Sequence, residues 1–263
     1  MFHMEKKILF ISIMALVIAL MGCEPQQKFD YPETKKVDQV DVYFGDTVPD
    51  PYRWLENDTS KQTGEWVKAQ NEVTFGYLEE IPFRKAIEER LTEIWDYPRV
   101  SAPFEEGGRY YIFKNDGLQN QDVAYVKESL DAEEEVILDP NKFSDDGTVS
   151  LTAFTPSPGG KYLGYGISRG GSDWDEFYVM DPETKEVFDD KIMWVKFSPM
   201  AWYGDGFYYS RYPEPEEGQQ LSGVNLHNKV YYHKIGDPQS EDKLTYEDPQ
   251  NPGSSFAPAV TAD

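Results

Sequence analysis

Between residues 103 and 209 the chain writes one phrase three times. Pro103-Phe104-Glu105-Glu106-Gly107-Gly108-Arg109-Tyr110-Tyr111-Ile112 is answered by Thr155-Pro156-Ser157-Pro158-Gly159-Gly160-Lys161-Tyr162-Leu163-Gly164-Tyr165. A looser copy runs from Phe197-Ser198-Pro199 through Gly204-Asp205-Gly206 to Tyr208-Tyr209. Each copy is a short apolar strand, a glycine-bearing turn and an aromatic-rich strand, which is the grammar of a hairpin. Another strand of shared character follows each copy: Val123-Ala124-Tyr125-Val126, Glu176-Phe177-Tyr178-Val179-Met180 and Lys229-Val230-Tyr231-Tyr232-His233. Turns then come at Asp181-Pro182-Glu183-Thr184 and Gly236-Asp237-Pro238, with Glu135-Val136-Ile137-Leu138 an example of the strand that ends a unit. Four strands per unit, repeating at roughly 40 to 60 residues, is the period of a β-propeller blade. A two-layer sandwich is the competing architecture, since it too shows short strands with turn signals. A fourth copy begins at Phe256-Ala257-Pro258-Ala259-Val260 and breaks off at Asp263. Propellers close with about four to eight blades. Three blades and a beginning leave open sheet edges, so the expected fold is mainly β, an incomplete propeller in a chain that reads as truncated.

Ahead of the repeats the periodicity changes from two to near 3.6. Trp66, Val67, Val73, Tyr77 and Leu78 recur at near-helical spacing, and Asp58, Thr59 and Ser60 offer capping oxygens. Pro82 ends that helix. A second is predicted from about Phe83, with Ile87, Leu91, Ile94 and Trp95 on one face and charges opposite. Asp50-Pro51-Tyr52-Arg53-Trp54-Leu55-Glu56 reads as a turn carrying two aromatics, and Pro98 closes the helical section. Residues 58–96 are therefore the one convincingly helical stretch, and the strand grammar takes over after it.

Residues 1–22 read as a targeting leader. Lys6 and Lys7 precede Ile8 to Met21, an uncharged run shorter than the roughly 20 residues of a spanning helix. The run has no polar face, as a core helix buried all round would also lack one. It ends in Leu20-Met21-Gly22-Cys23, which resembles the lipobox of bacterial lipoproteins, with Glu24-Pro25-Gln26-Gln27 as a polar tether. That resemblance implies export, lipidation of Cys23, a membrane anchor, and a periplasmic or cell-envelope location. A secretory signal with a chance Cys is the alternative.

Composition narrows the functions. Lys+Arg number 25 against 48 Asp+Glu, a net charge of −23, which argues against nucleic acid because phosphate binding needs a basic face. One Cys excludes an internal disulfide framework, and three His leave little for a metal. Gly166-Ile167-Ser168-Arg169-Gly170 matches the G-x-S-x-G elbow, but that pattern needs a following helix. Here Gly171-Ser172-Asp173 and a strand follow, so it reads as an inter-strand loop. His227 and His233 fall in or beside one predicted strand, six residues apart and so on one face, where they read as packing or surface residues and a poor metal site. Asp145-Asp146 and Asp189-Asp190 read as solvated turn residues. No phosphate-cradling glycine loop or other cofactor pattern is present. The residues alone supply no catalytic set and no metal site.

The residues resemble the start of the prolyl oligopeptidase family. The resemblance is carried by Tyr31-Pro32, Asp50-Pro51-Tyr52-Arg53-Trp54-Leu55-Glu56, Val67-Lys68-Ala69-Gln70-Asn71, Trp95-Asp96-Tyr97-Pro98, Gly117-Leu118-Gln119-Asn120-Gln121 and Leu138-Asp139-Pro140-Asn141. It continues through Ser144-Asp145-Asp146-Gly147-Thr148-Val149, Gly171-Ser172-Asp173-Trp174, Val195-Lys196-Phe197-Ser198, Met200-Ala201-Trp202 and Asn225-Leu226-His227, almost without gaps from Tyr31 to about Pro252. It implies an exported serine endopeptidase that hydrolyses short peptides after proline. A seven-bladed propeller gates an α/β-hydrolase domain; the resemblance implies that residues 23–96 are a helical arm belonging to that domain and 97–263 a partial propeller of about three blades. The triad and its Gly-Gly-Ser-Asn-Gly-Gly elbow lie in that later domain, so this chain alone is expected to be inactive. By resemblance, Phe197 lines the pocket for the residue two before the proline, and Asp173 lies near the peptide's amino end, where a carboxylate favours positive charge. Ser254-Ser255-Phe256 stands where the family usually has a Trp-Met pair serving the same pocket. Two alternatives stay open: a sister peptidase with another preference, such as basic residues, and a non-catalytic exported binding propeller.

Overall fold

A computed structural model describes residues 29–216 and 218–261. The leader and Cys23 lie outside the described residues. Within them the chain divides into two units, which meet at Arg84 and Lys85.

In the first unit, β1 (Val40–Tyr43) and β2 (Asp46–Pro49) form an antiparallel hairpin. Phe44 and Gly45 make its two-residue turn with φ of +53° and +96°, the positive pair that a twist-matched hairpin turn requires. The Asp-Pro-Tyr-Arg-Trp segment winds into a single 3₁₀ turn, Arg53–Glu56. Arg53 is clamped by Asp41 and by Asp50 (Nε to Oδ2, 2.6 Å), and the Trp54 indole N–H donates to the Lys35 carbonyl. Helix α1 (Lys61–Glu79) starts where Ser60 Oγ accepts the Thr63 amide at 3.1 Å. Of the three predicted capping residues, Ser60 is the one used. Trp66 donates to Thr34 Oγ1 across α1 at 3.0 Å.

Helix α2 (Arg84–Trp95) opens the second unit and buries no residue: Ile87, Leu91 and Ile94 are about half exposed (51, 50 and 49 %). Three sheets follow, the first of five strands and the other two of four each. The first joins β3 (Arg99–Val100) and β4 (Phe104–Glu106), both paired with β5 (Arg109–Asn115), to β6 (Val123–Lys127) and β7 (Glu135–Leu138). The second is β8 (Val149–Pro156), β9 (Leu163–Arg169), β10 (Asp175–Met180) and β11 (Val187–Val195). The third is β12 (Ala201–Tyr203), β13 (Gly206–Arg211), β14 (Lys229–Lys234) and β15 (Lys243–Tyr246). One ladder pair, Val195 with Arg211, links the second to the third. These are the three blades expected. The fourth copy forms no strand among the described residues. Instead the Phe256 amide donates to Asn228 Oδ1 at 2.9 Å, and its ring stands edge-on to Tyr246. A strand exists only as a paired ladder, and these residues pair with no strand among the described ones.

Strand alternation explains how the blades stack. Along β10, Phe177 and Val179 enter the core shared with the third blade, where Met200, Trp202, Phe207 and Tyr209 are buried. Met180 turns the other way, into the core shared with the first blade, beside Tyr111, Val126, Ile137, Leu163 and Tyr165. Each such large side chain stabilises by about 1.5–3 kcal/mol when wholly buried. On β9 the alternation is Leu163, Tyr165 and Ile167 against Gly164 and Gly166. A Cβ at Gly164 would lie 2.7 Å from Met200 Sδ and 3.0 Å from Trp202 Cζ2, so the third blade comes close because that face is bare.

The repeated turn glycines have a shared cause. Gly107 (φ +60°) of the first blade lies against Gly160 (φ +67°) of the second, and a Cβ on Gly107 would sit 2.5 Å from the Gly160 Cα. Arg109 seals the contact: Nη1 donates to the Gly160 carbonyl at 3.1 Å, Nε reaches Glu128 and Nη2 reaches Glu183. We expect Gly107→Ala to destabilise the chain by about 1–3 kcal/mol. Thermal melting should show a loss of about 2–4 °C per kcal/mol for a chain of this size. Gly159→Ala, with open space around it, should stay within about 0.5 kcal/mol. Equal melting temperatures for both variants would refute the close-contact account.

Candidate functional site

The structure brings Asp173 and Phe197 to one concavity of about 400 Å³, walled by the β9–β10 turn and by the segment between β11 and β12. Two glycines with positive φ, Gly170 and Gly171, make the β9–β10 turn. Ser172 Oγ accepts the Trp174 amide at 3.0 Å and so fixes Asp173 between them at the surface. The opposite wall begins where β11 ends. Trp194 and Phe197 both hold left-handed backbone, with φ of +62° and +55°, uncommon for bulky side chains. Ser198 locks this bend by accepting the Ser210 amide at 2.7 Å and donating to the Pro199 carbonyl. Held that way, Phe197 stays 76 % exposed. A large apolar ring kept in solvent by strained backbone costs stability, and such strain clusters at working sites. Behind Asp173, Trp174 stacks edge-on to Trp194, carries the Lys196 ammonium 4.5 Å over its ring, and donates its indole N–H to the Gln220 carbonyl.

Sequence reasoning missed a second carboxylate in the concavity, Asp175. It occupies the first position of β10, opposite Ser168 and Val195. Burial pushes its pKa above the usual carboxylate value; the Asp173 charge adds to this, and the Thr152 hydroxyl works against it. The available signal was a second carboxylate two residues after Asp173, at the start of the strand that the turn leads into.

Ser168 is not an exposed nucleophile. Gly166 to Arg169 belong to β9 rather than to a loop, and only Gly170 and Gly171 turn. Ser168 is buried, and its hydroxyl donates to the Ser172 carbonyl. Nor do the two histidines share a face. His227 precedes β14 with φ of +61°, which breaks the alternation, and its amide donates to the Pro252 carbonyl at 2.7 Å. His233, inside β14, is wholly buried between Asp190 and Asp242. Asp190 therefore corrects the expectation of a solvated turn: it lies on β11, buried, and accepts from the Gly236 amide at 2.6 Å. Asp146 does behave as a turn residue, capping the Thr148 amide and hydroxyl. Phe256 does not line the Asp173–Phe197 concavity.

Removing the Asp173 charge should relax its neighbour. In Asp173→Asn the Asp175 pKa is expected to fall toward the ordinary carboxylate value, read from the side-chain carboxyl ¹³C titration. An unchanged midpoint would show that burial alone sets it.

Comparison with known proteins then places the chain. The family described as prolyl oligopeptidase, N-terminal beta-propeller domain, matches residues 32–263. A prolyl endopeptidase of Elizabethkingia miricola is 44 % identical over 261 residues, covering 99 % of this chain and 37 % of that protein. One from Elizabethkingia meningoseptica is also 44 % identical, covering 97 % and 36 %. Among solved structures, prolyl oligopeptidase B from Galerina marginata, bound to a 35mer hydrolysis and macrocyclization substrate, superposes with a TM-score of 0.72 at 29 % identity. That match covers 88 % of this chain and 36 % of that one. The chain thus spans about a third of the length of these relatives. Its three blades, their order and the match over residues 32–263 make this chain a member of the prolyl oligopeptidase family, matching its N-terminal propeller domain.

Proposed function

We propose that this chain is the N-terminal part of an exported prolyl oligopeptidase, a serine endopeptidase that hydrolyses short peptides after proline. The family match over residues 32–263, with relatives named prolyl endopeptidases, carries this reading. The propeller acts as a gate that admits slender, unfolded peptides to an α/β-hydrolase domain, which supplies nucleophile and base. Phe197 forms an apolar wall for the residue two before the scissile proline, and Asp173 attracts the peptide's amino end. Their meeting at one concavity supports the assignment, since sites for apolar side chains combine such faces with a few polar groups. The half-exposed Ile87, Leu91 and Ile94 of α2 suit a surface that the hydrolase domain covers. Cys23 carries the lipid that holds the enzyme at the cell envelope.

In the peptidase carrying both domains, Phe197→Ala should raise KM about tenfold for peptides with a bulky apolar residue two before proline. With glycine there it should change KM little. An unchanged kcat would mark lost uniform binding, and equal effects on both peptides would remove Phe197 from the pocket. This chain alone should give no turnover of a prolyl chromogenic peptide.

Labelled palmitate should enter the protein when it is expressed in a bacterial host, and Cys23→Ser should abolish incorporation. Label retained in that variant would overturn the anchor.

A further inference from the structure

His233 lies apart from the concavity and has no part in the function proposed above. Its side chain is wholly buried, beside the Phe207 ring at 5.3 Å between centroids. Nε2 stands 2.8 Å from Asp190 Oδ1 on β11, and Nδ1 stands 2.6 Å from Asp242 Oδ1, one residue before β15. An ionised carboxylate only accepts hydrogen bonds, and a neutral imidazole has one N–H to give. Two carboxylates on the two nitrogens therefore ask for two N–H donors, which is the imidazolium. A neutral ring would face one oxyanion with a lone pair.

Both carboxylates are also held by partners other than the ring. The Gly236 amide donates to Asp190 Oδ1 at 2.6 Å, and the Tyr209 hydroxyl donates to Asp242 Oδ2 at 2.6 Å. Gln239, in turn, donates to the Tyr209 oxygen and exchanges hydrogen bonds with the Met193 backbone on β11. The titratable groups facing the ring are Asp190 from β11, Asp242 from the segment leading into β15, and Tyr209 from β13 through Asp242. This cluster crosses a seam that the ladder closes with a single pair, Val195 with Arg211.

We infer that His233 is a proton-operated clasp between the second and third blades, holding residues 235–246 against β11 while the ring carries two protons and releasing them when one leaves to solvent. The sign follows from the charges. Burial alone would lower the His233 pKa, but the hydrogen bonds to Asp242 and Asp190 outweigh it and raise the pKa above the ordinary 6.5. The clasp is closed in full below 6.5, loosens as pH climbs from there through the raised value, and is flat beyond it. Within that window one linked proton multiplies opening by up to about ten per pH unit.

Amide hydrogen exchange on the full chain between pH 6 and 9, corrected for intrinsic exchange rates, tests this. Residues 187–195 and 235–246 are expected to lose protection at up to about tenfold per pH unit, while 163–169 hold theirs. His233→Gln should be poorly protected at the seam and indifferent to pH. A second reading needs no variant: in the unmutated protein, the ring resonances assigned through contact with Phe207 should report imidazolium at pH 6.5. A neutral ring there, or seam protection that does not move with pH, overturns the clasp.

Discussion

A four-stranded sheet with apolar side chains on both faces has no stable existence alone, and this constraint organises the second unit. β10 is the clearest case: successive residues from Phe177 to Met180 feed two different cores, one shared with each neighbouring blade. Neither core closes unless a blade arrives on that side. The glycines of β9 follow from the same demand, since Gly164 leaves room for the Met200 and Trp202 side chains that the third blade presses inward. The blades are therefore less a row of independent sheets than a stack in which each surface is completed by the next.

That stacking also sets the geometry of the candidate site. Asp173 and Asp175 come from the turn and first residue leading into β10, whereas Phe197 comes from the bend that carries the chain from β11 to β12. The two walls stand at a fixed distance because the cores beneath them are packed. The Ser198 hydrogen bonds then hold the bend locally in a backbone conformation that a phenylalanine rarely adopts. Rigid blades underneath and a strained, exposed ring above divide the labour between stability and recognition.

Much of this was legible in the residues. The hairpin grammar, the glycine turns and the four-strand period are local signals, and they mark the strands from Phe104 to Tyr246 well. Ser60 and Pro82 marked the limits of α1 for the same reason. What failed depended on distant partners. His233 and Asp190 are far apart in sequence and look like ordinary strand and turn residues; only the pairing of blades buries them together. His227 looked like a strand neighbour of His233 because its left-handed backbone has no sequence mark. Phe256 begins a fourth copy by its residues, yet makes no strand where no ladder receives it. Phe197 and Asp173 were picked out by family resemblance, and periodicity would have left them as a core ring and a turn cap.

The meeting of Gly107 with Gly160 bears on how such a protein can be remodelled. Because each turn is shaped by its neighbour's backbone, with Arg109 reaching across to the next turn's carbonyl, a blade is not a free cassette. Grafting one from another propeller would transplant half of a contact whose other half stays behind, so chimeras divide more safely through a sheet's middle than along its borders.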